Sequence, residues 1–265
     1  MRIIVPIKQV PETNAVRMDE ATGTMIRDGV EAIVNPLDLY AIELAIQLRD
    51  QHGGEIIAVS MGPPKAAAAL REAISMGVDS GVLVSDKAFA GSDTWATSYV
   101  LAAAVRKIGA FDLVICGERA TDGDTGQVGP GIAAFLDLPV ISYVSKFDSL
   151  VQGACRVHRL VENGYELLEM ALPGVLTVVK EVAAPRLPTL RGKQKARKAE
   201  IPSWGAKDLD VHADKLGLAG SPTRVVKIFR PSVARKCVKH VPTDERTLNE
   251  AVDGLVGFLR GKQLI

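Results

Sequence analysis

Residues 112–130 read Asp-Leu-Val-Ile-Cys-Gly-Glu-Arg-Ala-Thr-Asp-Gly-Asp-Thr-Gly-Gln-Val-Gly-Pro. The stretch opens on a short apolar run, 113–116, of the kind a buried parallel strand needs. It breaks at Gly117. It ends in a segment whose Val128, Ile132, Phe135 and Leu136 fall at helical spacing. The loop between carries Gly117, Gly123, Gly126 and Gly129 among Thr121, Asp122, Asp124 and Thr125. Glycine backbone lets a ligand come close. A helix that begins there turns free N–H groups and the positive end of its dipole toward the ligand, and phosphate is the natural guest. Ordinary turn chemistry has a similar composition, so the loop by itself leaves both readings open. Neither a Rossmann G-x-G-x-x-G nor a Walker P-loop occurs in usable context.

Working outward, the same strand–loop–helix grammar recurs. Residues 3–7 form an apolar strand with Pro6 at its end, because proline cannot donate to a ladder. Residues 17–30 read as a hairpin around Thr22-Gly23-Thr24. Asn35 can cap a helix with Pro36 at its first position, and Ala41, Leu44, Ala45 and Leu48 share one face. Residues 55–60 are a second strand, turning at Met61-Gly62 into a helix with Leu70, Ala73 and Ile74. Residues 81–85 are a third. Ser92 or Asp93 can cap the helix that follows, where Thr94 and Thr97 lie a turn apart. A hydroxyl-rich cap and a second anion site are equally good accounts of that wording.

Four alternations of strand and helix predict an α/β fold with a largely parallel sheet flanked by helices. Ligands in such sheets sit outside the strand carboxyl ends. The candidates all lie at such ends. They are Pro6, Ile7 and Lys8; Asn35 and Asp38; Met61 and Gly62; Asp93, Thr94 and Thr97; and Cys116, Gly117, Ala120, Asp122, Gly123, Asp124, Thr125, Gly126, Gln127 and Val128. One crevice could hold them together.

Composition narrows the class. The 265 residues include 32 basic and 31 acidic ones, a balance that argues against nucleic acid as a partner. Aromatics are only 5%, leaving few platforms on which bases could stack. No apolar run approaches the roughly 20 residues of a membrane span. Cys116, Cys155 and Cys237 are scattered and odd in number, which fits no disulfide framework and points to the cytoplasm. The histidines show no metal spacing. Any chemistry would belong to a cofactor.

The wording Asp-Gly-Asp-Thr-Gly-Gln-Val-Gly-Pro, after Val-Ile-Cys-Gly, resembles the signature of the electron transfer flavoprotein β-subunit family. The resemblance runs along essentially the whole chain. It implies the adenine-nucleotide sandwich shared with universal stress proteins. Lys-Gln-Val-Pro-x-Thr near residue 8 and Gly-x-Asp-Thr-x-Ala-Thr-Ser at 91–98 are similar to the electron-bifurcating branch, whose β-subunit binds FAD. In the family the Asn35-Pro36 corner touches the nucleotide.

Beyond Pro139, residues 140–147, 155–161, 165–170 and 174–180 read as antiparallel additions to the sheet or a small second one. Asn163-Gly164 supplies a hairpin turn. Residues 184–198 are basic, hold two prolines and carry no acid, as an exposed loop leading into a basic helix would. The resemblance makes this the docking loop for redox partners, with Leu190, Arg191 and Lys193 as docking residues. Leu190 matches the leucine that enters the partner's pocket, and Arg191 stands where the family often has proline. From 201 the chain is irregular for about 40 residues, long for one compact domain. Residues 243–262 then make a helix, with Thr243 as cap and Leu248, Ala251, Val252, Leu255 and Leu259 as an apolar stripe. The expected division is 1–183 for the nucleotide domain, 184–200 for docking, and 201–265 for an arm packing on an α-subunit.

The implied function is that of a heterodimeric electron carrier rather than a hydrolytic enzyme. FAD in the crevice would take a hydride from NADH. One electron would go to ferredoxin or flavodoxin. The other would go through the α-subunit's FAD to an acyl-CoA dehydrogenase or related flavin dehydrogenase. A conventional β-subunit with AMP in the same crevice is the first alternative. An ATP-binding regulator of the universal-stress type is the second.

Overall fold

The structure is a computed structural model that describes residues 1–12, 17–18, 25–26, 32–151, 153–226, 237 and 239–265. It divides into two units, Met1–Val226 and Lys227–Ile265.

In chain order, the first unit contains β1 (Arg2–Pro6), β2 (Gln9–Pro11), β3 (Arg17–Met18), β4 (Met25–Ile26), β5 (Ala32–Val34), α1 (Asp38–His52), β6 (Glu55–Met61), α2 (Ala67–Met76), β7 (Ser80–Val84), α3 (Thr94–Ile108), β8 (Leu113–Gly117), α4 (Val128–Leu136), β9 (Val140–Val151), β10 (Ala154–Val161), β11 (Gly164–Ala171), β12 (Gly174–Val178), α5 (Leu190–Lys198) and β13 (Ser203–Trp204). Nine strands form one sheet in the order β11-β10-β9-β12-β8-β1-β6-β7-β13. Every pairing from β9 to β13 is parallel, as the alternation of strands and helices requires.

The later strands differ from the expectation. Only β10 and β11 join antiparallel. β9 and β12 are parallel members, and β12 sits between β9 and β8. The reason is in the residues: Gly174, Val175, Leu176, Thr177 and Val178 are all buried, so β12 needs cover on both faces, which a central place supplies.

Alternate residues of each central strand face two separate cores. Ile3, Val5, Leu113 and Ile115 meet α1 and α2 on one side. Ile4, Val114 and Cys116 meet α3 and α4 on the other. Helices therefore cover both faces.

The excursion after β1 closes through β2 on β5, with β3 pairing β4 antiparallel. The Thr22-Gly23-Thr24 turn and Arg27-Asp28-Gly29-Val30 lie outside the described residues. Asn35 does not cap α1. That helix starts at Asp38 with no side-chain cap, and the Asn35 side chain is used elsewhere.

The chain from 201 to 226 stays with the first unit. β13 adds to the sheet beside β7, and Leu209 and Leu216 are buried in the α3–α4 core. Apolar side chains in this irregular stretch found an open sheet edge to cover. In the second unit α6 (Glu245–Gly261) is capped by Asp244, not Thr243. The Thr247 N–H donates to Asp244 Oδ1 at 2.8 Å, and Thr247 Oγ1 accepts from the Asp244 N–H. No residue of α6 is buried; Leu248, Val252 and Leu255 of its stripe are exposed, and Phe258 is exposed beside them. No helix among the described residues is long and apolar enough to cross a membrane.

Candidate functional site

A crevice of 910 Å³ lies at the carboxyl ends of β8, β1, β6 and β7. Its volume is toward the upper end of the roughly 300–1,000 Å³ usual for ligand pockets. Pro6, Ile7 and Lys8 enter from β1, Met61 and Gly62 from β6, and Cys116 and Gly117 from β8. Asp38 comes from the start of α1, and Asp93, Thr94 and Thr97 from the start of α3. Ala120, Gly123, Thr125, Gly126, Gln127 and Val128 come from the loop into α4. Three expected residues are not on the wall: Asn35, Asp122 and Asp124. Asn35 is fully buried behind it. Asp122 and Asp124 form ion pairs instead, with Lys8 Nζ at 2.7 Å and Arg119 Nε at 3.0 Å. Both pairs are exposed, so each is weak and its cation is free to exchange toward a bound anion.

Asn35 and Asp38 build one corner. The Asn35 amide donates to Asp38 Oδ1 and to the Arg119 carbonyl, both at 2.9 Å. Its oxygen accepts the Thr121 N–H at 3.1 Å. Asp38 Oδ2 accepts the Lys8 N–H at 2.7 Å. These bonds tie the end of β1, the start of α1 and the glycine-rich loop together. Gly117 permits the closeness, since a Cβ there would stand 2.5 Å from Asp38 Oδ1. Burial pushes the Asp38 carboxyl up to about 7, against the opposing bonds from Asn35 and Lys8. The Cys116 thiol beside it is pushed up by burial and by the Asp38 charge, and stays protonated.

Besides α1, two helices begin on the crevice. At α3 the Asp93 Oδ1 accepts the N–H groups of Trp95 and Ala96, both at 3.0 Å. Its Oδ2 accepts the Thr223 N–H at 2.9 Å and hydroxyl at 2.7 Å. Burial would raise the Asp93 pKa, but these four donors hold it below the ordinary carboxylate range. At α4 no side chain caps the helix. The first N–H groups, those of Val128 and Gly129, are thus left for a ligand or solvent, and Pro130 has none to satisfy. Gly129 lets this first turn lie against the sheet; a Cβ there would meet Thr177 Cγ2 at 2.5 Å. Thr94 Oγ1 donates to Gln127 Oε1 at 2.8 Å and joins the two starts.

Several wall residues were not foreseen. Ser85 and Asp86 follow β7, and Glu118 and Arg119 follow β8, so the carboxyl-end rule applied to every strand would have found them. Phe89 and Leu101 have no such signal. They are apolar residues whose place on the wall comes from packing.

A nucleotide fits this donor set. The uncapped start of α4 offers N–H groups to phosphate, Lys8 and Arg119 stand on the wall, and Met61, Phe89 and Leu101 give apolar surface.

Comparison with known proteins gives the family. A profile of the electron transfer flavoprotein domain matches residues 22–209. The electron transfer flavoprotein subunit beta of Thermoanaerobacterium thermosaccharolyticum is 45% identical over 267 residues, covering 100% of both chains. The caffeyl-CoA reductase–Etf complex subunit CarD of Acetobacterium woodii is 44% identical over 266 residues, again covering 100% of both. Protein FixA of Azorhizobium caulinodans is 46% identical over 239 residues, covering 88% of this chain and 85% of its own.

Proposed function

The chain belongs to the electron transfer flavoprotein β-subunit family, and from that premise we propose that its crevice binds FAD and receives electrons from NADH. The observation that carries this reading is the crevice itself. It runs across four strand ends, about 14 Å at the usual strand spacing, and holds 910 Å³. Such a groove suits an extended dinucleotide.

The residues divide the work. The N–H groups at the start of α4 and along 125–128 face the pyrophosphate, since those of Gly123 and Asp124 are spent on the Ala120 carbonyl. Ala120 and the Asn35 corner border the adenosine part. Thr94 and Thr97 offer hydroxyls near the second helix start. When bound, the flavin supplies hydride acceptance and single-electron donation. The protein supplies orientation and a wall that keeps solvent from one side.

The partners in this reading are an α-subunit carrying its own FAD, a ferredoxin or flavodoxin, and an acyl-CoA-dehydrogenase-type flavoprotein. The relative named as part of a caffeyl-CoA reductase–Etf complex supports a partner that acts on CoA esters. Leu190, Arg191 and Lys193 are the docking residues, and the exposed stripe of α6 is the face for the α-subunit. The setting is the cytoplasm.

AMP in the same crevice is the second reading. One observation favours it: Asp93 already fills the start of α3, so that of the α3 and α4 starts only the latter is open for phosphate. Co-expression with the α-subunit and extraction of the bound nucleotides tests both. Two FAD per heterodimer, bleached by NADH, is the expected result. One FAD and one AMP would leave a conventional electron carrier.

A further inference from the structure

Leu187 and Leu190 are 87% and 82% exposed, on a segment that is held firmly. We propose that residues 184–198 form a preorganised recognition platform, fixed on α1 by the Glu43–Arg186 pair, that presents both leucines to an acid-rimmed apolar pocket on a partner protein. The platform presupposes the docking role proposed above and adds to it a second leucine and the pair that aims them.

The anchor is built into the core. Glu43 sits in the middle of α1 and is only 3% exposed. Its Oε2 accepts the Arg186 backbone N–H at 3.1 Å and Nε at 2.8 Å, and its Oε1 accepts Nη2 at 3.0 Å. Gln47 Nε2 adds a fourth bond at 3.0 Å, and Arg186 Nη1 also reaches Asp50 at 3.3 Å. A buried carboxylate is tolerated only with such a full set of donors.

A second anchor follows the leucines. Thr189 caps α5 by accepting the Gly192 N–H at 2.9 Å. Arg71 Nη1 donates to the carbonyls of Ala196 at 2.7 Å and Ala199 at 2.9 Å, and Lys195 Nζ to that of Val78 at 3.1 Å. The leucines are therefore held out in water between two fixed points. Fixing them before contact removes ordering entropy from the binding step.

Charge selects the occupant. Arg191, Lys193, Arg197 and Lys198 are exposed on α5, and residues 184–198 contain no acid. A second copy of this basic face would be repelled. Two leucines bury too little for a bilayer. An apolar pocket with carboxylates at its rim meets both demands.

The test uses the complete heterodimer with a purified acyl-CoA dehydrogenase as electron partner, its concentration varied. Leu187→Ala and Arg186→Met are expected to raise the apparent KM for the dehydrogenase roughly five- to tenfold. The kcat at saturation and the bound nucleotide should stay as in the wild type. Arg186→Lys should recover part of the loss. Amide exchange at 184–190 should quicken in Arg186→Met and not in Leu187→Ala. If Leu190→Ala raises KM while Leu187→Ala and Arg186→Met do not, the platform is wrong and docking stands. If Leu190→Ala also has no effect, docking falls with it. If Arg186→Met disturbs exchange across the whole sheet, Leu187→Ala alone decides. Leucine-dependent binding to vesicles of anionic phospholipid would overturn the choice of occupant.

Discussion

Two of the helices that begin on the crevice, α3 and α4, are treated in opposite ways. The start of α3 is sealed by Asp93, a carboxylate with four donors. The start of α4 has no cap, and its approach loop is held from behind by Asn35 and Asp38. Burial dominates at Asp38 and raises its pKa, whereas hydrogen bonds win at Asp93 and lower it. A helix terminus sealed by its own side chain gives the fold stability. One left open against a sheet gives the ligand its donors. In the function proposed above, phosphate is recognised at α4 and α3 serves as a rigid rim with hydroxyls.

The strongest way to break that contrast is to disturb the seat of α4. In Gly129→Val the new side chain collides with Thr177 Cγ2. Bound nucleotide per heterodimer should fall about five- to 150-fold, since overpacking costs about 1–3 kcal/mol. In Gly129→Ala, adding Thr177→Ser removes the clashing methyl and should return most of the nucleotide. A Gly129→Val protein that still carries full nucleotide would show that α4 is not the phosphate site.

Asp38→Asn sharpens the contrast through pH. A raised carboxyl contributes stability that is fully present below its unfolded pKa, near 4, and is lost as pH rises through about 7. Urea unfolding from pH 4 to pH 8 should therefore show the wild type losing stability relative to Asp38→Asn. Parallel curves for the two proteins would contradict a buried, strained carboxylate.

Asp93→Ala acts in the opposite direction. Its lowered pKa gives stability present above the ordinary carboxylate range and lost as pH falls through the folded value. Removing an N-cap costs about 1 kcal/mol, a fall of roughly 2–4 °C in Tm for a domain of this size. The loss should vanish in acid. Nucleotide content should drop less than in Gly129→Val, and the reverse order would invert the assignment of the two helix starts. The smallest effect belongs to Thr94→Val. It removes one exposed bond to Gln127 and should weaken nucleotide binding about two- to threefold, with Tm unchanged.

What was legible followed from patterns that act over short distances. Unbroken apolar runs at 3–7 and 113–116 encode buried strands, and helical spacing after Asn35 and Asp93 encodes helices. The loop at 117–128 declared itself through glycine and turn residues. Asn35 was misread because an Asn before Pro is a sound local cap, yet its amide serves a loop 86 residues away. Thr223 and Ser221 were invisible as partners of Asp93 for the same reason, since they lie about 130 residues further along. β12 was taken with the hairpin strands that precede it, because strand order is a property of the whole sheet.

The sequence by itself determined the α/β class, the family, and a ring of crevice residues at the strand ends, because periodicity and turn chemistry are written locally. Only the tertiary structure decided which helix start stays open, which acid is driven up or down in pKa, and how residues 184–198 are held. Those outcomes depend on desolvation and on donors brought from distant segments, and neither exists until the chain has packed.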